Sequence, residues 1–303
     1  MTLRAARGTV AAALALLLAG CAAIPQPAAS LPADLGVWFD CLRDRSEAVI
    51  GAHRAGPAPG LPENALETMA ATLARNPDAL LEIDVQVSKD GVLFLLHDDR
   101  LDRTTTGKGL ARARDWVDLT ALSLRDNDGA VTNSRIPTLA QALALARLRG
   151  GIVQLDVKRG VDFAAVVAAV RAAAAERHTI IITYRDADAL AVARLAPELM
   201  VSAEVRSAAA AEALIAAGMR RDRLLAWTGI RAPDLPLFAA LRAAGVEPLF
   251  GTLGRPGERL DDRWLADGDP GEFALLEQQG AVVVATDRGA EVEAALGSPT
   301  CRR

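Results

Sequence analysis

Residues 80–105 read LLEIDVQVSKDGVLFLLHDDRLDRTT, and this stretch decides how the remainder of the chain is read. Leu80–Val85 and Val92–His97 are short apolar runs of strand character. Ser88-Lys89-Asp90-Gly91 lies between them, and Asp-Gly between alternating runs is a strong hairpin signal. With Asp90 and Gly91 as a two-residue turn, Lys89 pairs with Val92 and paired numbers sum to 181. Asp84 then faces His97, and Glu82 lies two residues along on the same face. A three-residue loop would shift the sum to 180 and turn His97 to the other face. Carboxylates inside so apolar a run are costly to bury unless they are paired or bind a metal, so a site is expected on this strand. Two carboxylates two apart, with a third nearby, form an all-oxygen cluster suited to a hard divalent cation such as Ca²⁺ or Mg²⁺.

Outward from this hairpin, further β-branched or apolar runs fall at Val49–His53, Ile152–Val157, Thr179–Tyr184, Met200–Val205, Leu224–Trp227, Pro248–Thr252 and Val282–Thr286. Between them, stretches such as Asn64–Arg75, Thr138–Arg149, Phe163–Glu176, Ala187–Leu195 and Ser207–Ala217 repeat their apolar positions every three or four residues, the period of an amphipathic helix. Strand–helix units repeated without a Gly-rich phosphate turn predict an α/β fold, the (β/α)₈ TIM barrel, as a single domain. Nine candidate strands compete for eight places, and Leu224–Trp227 or Met200–Val205 is the first choice to lie outside the ring. The antiparallel hairpin conflicts with an all-parallel ring, and periodicity does not resolve the conflict. In such a barrel the strand C-termini face the site, so His53, Arg54, Glu82, Asp84, His97, Asp156 and Lys158 are the residues to read.

The composition narrows the possibilities. The chain has 303 residues, 51% apolar and 24% charged, which suffices for an ordered core and excludes wholesale disorder. A formal charge of −4 with no basic stripe argues against nucleic-acid binding. Of only three histidines, His178 precedes a strand, at the end of a barrel remote from the site, and is read as a surface residue. Trp227, Phe250 and Trp264 are read as core before pocket, and Leu253–Asp269 as a loop over the barrel mouth.

The N-terminus reads as an address. Arg4 and Arg7 precede the apolar stretch Val10–Ala19, which is too short to span a bilayer as a mature helix and fits a secretory signal peptide over residues 1–20. Leu18-Ala19-Gly20-Cys21 resembles the lipobox of bacterial lipoproteins. That resemblance implies acylation of Cys21, a lipid anchor in the membrane on the periplasmic side of the cell envelope and, from Ala22, the outer membrane. Residues 21–45 are then a tether and N-terminal segment, and 46–303 the barrel domain. Cys41 and Cys301 remain, and an even pair in an oxidising compartment invites a disulfide, with two free thiols as the alternative. Closing a loop spanning 301 − 41 = 260 positions would stabilise by about 4–5 kcal/mol on the chain-entropy model.

AHRAG (52–56), LPEN (61–64), residues 82–105 and LDVK (155–158) resemble the glycerophosphodiester phosphodiesterase family in order and spacing, with looser likeness in IPTLAQAL (136–143) and VVVATDR (282–288). The resemblance implies a TIM barrel that hydrolyses glycerophosphodiesters to an alcohol and glycerol 3-phosphate. It makes His53 and His97 the general acid–base pair, Glu82, Asp84 and Asp156 the holders of one divalent cation, and Arg54 and Lys158 the phosphate-binding residues. Two imidazoles near their ordinary pKa of about 6.5 suit a reaction that takes one proton and gives another. Two departures stand out: the family's H-R-G is H-R-A here, so Ala55 is strained if φ is positive, and the family's Glu on the fourth strand is Asp156. Asn64 is read as a cap of the following helix and Glu63 as a buttress of the His53 loop. A phospholipase-like diesterase acting on intact phospholipids, and a non-catalytic envelope lipoprotein that keeps the fold, are the alternatives.

Overall fold

The computed structural model describes residues 31–301. Its strands are β1 (Val49–Ala52), β2 (Leu80–Val87), β3 (Leu93–Leu95), β4 (Ser123–Arg125), β5 (Val131–Arg135), β6 (Ile152–Val157), β7 (Thr179–Ile182), β8 (Met200–Glu204), β9 (Leu224–Trp227), β10 (Glu247–Gly251) and β11 (Val283–Thr286). Eight of them run parallel in the order β1-β11-β10-β9-β8-β7-β6-β2, and β2 pairs back onto β1 to close the ring. Every side of a ring strand is covered, so the strands are apolar almost throughout, as the fully buried β6 and β11 illustrate. Helices return between them where the apolar period predicts. The helix Leu139–Arg149 opens on a capping box in which Thr138 and Gln141 satisfy each other's backbone N–H groups, and it ends at Gly150 in the left-handed region.

Of the nine runs expected as strands, the one outside the ring is β3, whereas β8 and β9 are both full members of it; β4 and β5 form a separate two-stranded sheet. The hairpin and the barrel coexist because β2 is longer than its neighbours. Residues 80–85 pair with β6 inside the ring, while residues 85–87 overhang the mouth and pair with β3. The hairpin register corrects the two-residue turn. Val85, Gln86 and Val87 face Leu95, Phe94 and Leu93, a sum of 180, so Asp84 does not lie opposite His97. The loop is Lys89-Asp90-Gly91, closed by Ser88 N–H donating to Val92 O at 2.9 Å. A two-residue type I′ turn needs positive φ at both central residues, but here only Gly91 has it, at 87°. Asp90 instead accepts from Ser88 Oγ at 2.6 Å and from Trp116 N–H at 2.9 Å, which holds the three-residue form.

The helix Leu35–Arg45 closes the barrel floor. Its Trp38, Phe39 and Leu42 are buried against Leu80, Ile152, Ile180, Met200 and Leu225 from the lower ends of the strands. Asp34 caps this helix, and two buried cations lock it in place: Arg223 to Asp34 and Arg43 to Glu247, each at 2.5 Å. Cys41 in this helix is joined to Cys301 by a disulfide. The expected lipidation site, Cys21, lies outside the described residues. His178 departs from its reading as a surface residue: it is 1% exposed, packed just before β7, and neither ring nitrogen has a hydrogen-bond partner among the described residues. With the floor sealed, the open end is the one formed by the strand C-termini.

Candidate active site

Glu82, Asp84 and Asp156 come together because of register. Asp84 on β2 and Asp156 on β6 are direct neighbours in the parallel ladder, and Glu82 is one inward-facing step below Asp84. Ligand oxygens from all three lie within 4.8 Å of one another. Asn64, at φ 59°, does not cap the following helix, whose N-cap is Ala65. It grips Asp84 instead, donating from Nδ2 to Oδ2 at 2.6 Å and accepting the Asp84 N–H at 2.9 Å. Lys158 Nζ sits 2.6 Å from Asp84 Oδ1 and 2.5 Å from Asp156 Oδ2. Burial would raise the Asp84 carboxyl, but the Lys158 charge and the His97 charge outweigh it and hold it below the usual range. Glu82 has less help: burial and the neighbouring Asp84 charge push it up to about 8.

His53 and Arg54 follow β1 in a tight left-handed turn. Arg54 (φ 51°), Ala55 (φ 69°) and Gly56 (φ 80°) are consecutive in the left-handed region, so Ala55 is strained at the position where the family pattern has glycine. The turn is held by Arg54 N–H donating to Glu82 Oε2 at 2.7 Å and by Thr72 Oγ1 donating to Ala55 O at 2.7 Å. His53 Nδ1 bonds Asp287 Oδ1 at 2.6 Å, which leaves Nε2 as the ring nitrogen free to meet a substrate. Burial disfavours the imidazolium, but the Asp287 hydrogen bond and the Glu82 and Asp287 charges outweigh it, and the pKa is raised.

His97 reaches the site by a route the pairing arithmetic did not contain. The ladder stops at Leu95, the chain bends from His97, and Leu96 N–H still donates to Asp84 O at 3.0 Å. The bend, not the register, brings the His97 charge within reach of Asp84. His97 Nδ1 bonds Asp98 Oδ1 at 2.7 Å, and Arg103 grips both Asp98 oxygens at 2.7 and 2.8 Å. Arg103 also bonds both oxygens of the buried Glu63, which accepts from Arg54 at 3.0 Å. Glu63 therefore ties the loop after β1 to the loop after β3, the buttress its sequence position suggested.

Three contributors were not read from the sequence. Asp287 and Arg103 stand within matched motifs (ATDR and HDDRLDR), but nothing local says which histidine or carboxylate they serve. The chain's single tyrosine, Tyr184, stands at the rim of the site, within electrostatic reach of Asp156. A cavity runs down from His53, Glu82 and Asp156, past Tyr184 and Trp227, to Gln154, Ser202 and Leu249. Trp227 thus lines the pocket, while Phe250 is core. The stretch Leu253–Asp269 is not a simple loop over the mouth. It contains the short helix Leu260–Trp264, and it is pinned to Asp287 by Gly254 N–H at 3.1 Å and Arg259 at 2.9 Å.

The acidic trio fits a divalent cation on its own chemistry. All its donors are hard oxygens, and Asp156 Oδ1 is buried without a hydrogen-bond partner among the described residues.

Comparison with known proteins adds the following. The structure superposes on a glycerophosphoryl diester phosphodiesterase from Parabacteroides distasonis with a TM-score of 0.76, at 27% identity over 88% of this chain and 93% of that one. An Oleispira antarctica phosphodiesterase solved with the product sn-glycerol-3-phosphate superposes at TM-score 0.64 over 84% and 98%; at 23% identity that likeness is one of fold. In sequence, a glycerophosphodiester phosphodiesterase from Caldanaerobacter subterraneus subsp. tengcongensis is 26% identical over 166 residues, 51% of this chain and 65% of the relative. Rat glycerophosphodiester phosphodiesterase 1 is 34% identical over 130 residues, 40% of this chain and 37% of the relative. The chain thus spans less than two thirds of the length of these curated relatives. The model of the glycerophosphoryl diester phosphodiesterase family matches residues 53–285, from the first site histidine through the last ring strand. A match of that extent over this barrel shows that the chain belongs to the glycerophosphoryl diester phosphodiesterase family.

Proposed function

We propose that the protein hydrolyses glycerophosphodiesters to an alcohol and glycerol 3-phosphate, with His53 and His97 exchanging the protons. The observation that carries this reading is the pairing of each imidazole with its own carboxylate, at 2.6 and 2.7 Å, beside an acidic trio. A carboxylate on Nδ1 fixes the tautomer and steadies the imidazolium that proton transfer creates. Asp287 favours the imidazolium form of His53, so we assign His53 as the general acid that gives a proton to the leaving alkoxide. His97 is the general base that takes a proton from the attacking hydroxyl. Arg54 and Lys158 bind the phosphate oxygens, as guanidinium and ammonium groups suit an anionic diester.

Glu82, Asp84 and Asp156 would hold one divalent cation, Ca²⁺ or Mg²⁺. Bound there, it supplies positive charge against the diester and its developing negative charge. Asp156 is one methylene shorter than the family's Glu, and Lys158 anchors its carboxylate. Acylation of Cys21 would tether the barrel to the envelope membrane; the Cys41–Cys301 disulfide supports an oxidising compartment.

The test is hydrolysis of glycerophosphocholine and glycerophosphoethanolamine, read as glycerol 3-phosphate released. Chelated protein should be inactive and should recover on adding Ca²⁺ or Mg²⁺. His53→Ala and His97→Ala should each abolish turnover with the thermal midpoint retained. If no diester is turned over with any cation, the reading falls and a binding role takes its place.

A further inference from the structure

Asp84 and Asp156 form the upper row of inward-facing residues at the β2–β6 seam, and one step deeper Glu82 lies beside Gln154. Gln154 is 2% exposed and lines the cavity, and its Nε2 is buried without a hydrogen-bond partner among the described residues. A buried amide N–H is rarely left unpaired, and one that faces a substrate cavity is set to be paired by the ligand. Ser202 on β8, 3% exposed, lines the same depth, and Ile182, Leu249 and Ala285 supply the remaining wall. Hydrogen-bonding groups set among aliphatic ones match a short polyol, whose C–H faces pack on the wall while its hydroxyls meet the polar groups.

Resting on the phosphodiesterase reading, we propose that Gln154 is a specificity-determining residue that recognises the glycerol moiety, donating from Nε2 to the terminal hydroxyl. The chemistry selects this ligand over the two other occupants of the site. A metal ion needs an acceptor where the unpaired atom is a donor. The phosphate has the cations Arg54 and Lys158, which lie beyond the ends of β1 and β6. A hydroxyl can accept from the amide and still donate to a neighbouring acceptor, as a carbon–hydrogen group in its place cannot.

The experiment uses the full chain loaded with Ca²⁺ and compares glycerophosphocholine with the analogue in which 1,2-propanediol replaces glycerol. That analogue lacks the terminal hydroxyl but keeps the neighbouring one. The wild type should favour glycerophosphocholine in kcat/KM by at least about tenfold, because sites built to bind a hydroxyl reject the analogue that lacks it. Gln154→Met, similar in length but without a donor, should bring the ratio to about one, with the thermal midpoint and the Ca²⁺ affinity measured by calorimetry as controls. Equal wild-type turnover of both diesters overturns the proposal, as does a variant that loses both in proportion or loses Ca²⁺ affinity. A wild type that cleaves neither diester overturns the phosphodiesterase reading itself.

Discussion

Lys158→Met removes the ammonium that lies 2.6 Å from Asp84 and 2.5 Å from Asp156. The lysine side chain is 17% exposed and its partners 1% and 8%, so water screens this cluster weakly. Deleting one partner of a buried ion pair typically costs about 3–5 kcal/mol, because the remaining charge stays uncompensated. Here the loss leaves three carboxylates whose ligand oxygens are within 4.8 Å of one another. At about 2–4 °C per kcal/mol for a chain of this size, the midpoint in chelator should fall by about 10 °C. The pH dependence follows from sign. Lys158 holds the folded-state Asp84 below its unfolded value, a contribution present above the unfolded carboxylate pKa and lost as pH falls through the folded one. The deficit should therefore be largest near pH 8, where Glu82 also ionises, and its Asp84 part should be lost only below about pH 4. A divalent cation at about 100 times its Kd adds about 2.7 kcal/mol to any form that binds it, and should raise both midpoints. Differential scanning fluorimetry in chelator, Ca²⁺ and Mg²⁺ across this range reads all of this. A variant that melts within about 2 °C of wild type in chelator at pH 8 would refute the account of how the acids are held together.

Asp287→Asn replaces the charged acceptor on His53 Nδ1 with a neutral amide, so the imidazolium loses stability and the alkaline limb of the pH–kcat/KM profile should move to lower pH, with about 10²–10⁴-fold lower activity. An unmoved alkaline limb would exclude His53 as the acid. His178, buried beside the charges of Arg147 and Arg177, is lowered to about 4 from 6.5, so it contributes stability that is complete above 6.5 and lost as pH falls toward 4. The amount is (6.5 − 4) × about 1.36, or about 3 kcal/mol, and urea midpoints for wild type and His178→Gln should converge in that direction on acidification. Ala55→Gly trades about 1 kcal/mol of left-handed strain against about 0.8 kcal/mol of buried methyl and should stay within about 0.5 kcal/mol of wild type. Ala55→Val, β-branched at φ 69° and fully buried, should lose more than about 2 kcal/mol in urea unfolding.

Most of the ring could be read in advance because each strand announces itself locally, as an apolar run bounded by turn residues. Choosing which run falls outside the ring could not be done locally. Residues 93–95 are as apolar as any ring strand, and they are excluded only because β2 overhangs the mouth and offers them an antiparallel edge. The hairpin shows the same limit at finer scale. Asp90-Gly91 allows a two-residue or a three-residue loop, and the choice is made by Trp116, 26 positions away, bonding Asp90. His178 was misplaced for a related reason: a position at the far end of the barrel describes its distance from the site, whereas its burial depends on how the floor is packed.

At the site, the types of residue were determined by the sequence alone. Carboxylates two apart in an apolar strand, histidines at strand ends and a lysine two beyond an aspartate carry their chemistry wherever the chain puts them. What only the tertiary structure decided is the pairing: Asp287 on His53, Glu63 between Arg54 and Arg103, Asn64 and Lys158 on Asp84, and Gln154 Nε2 with no partner among the described residues. The physical reason is range. Strand propensity acts over a few neighbouring residues, whereas a hydrogen bond at 2.6 Å between residues 53 and 287 exists only because closing the ring sets β11 beside β1.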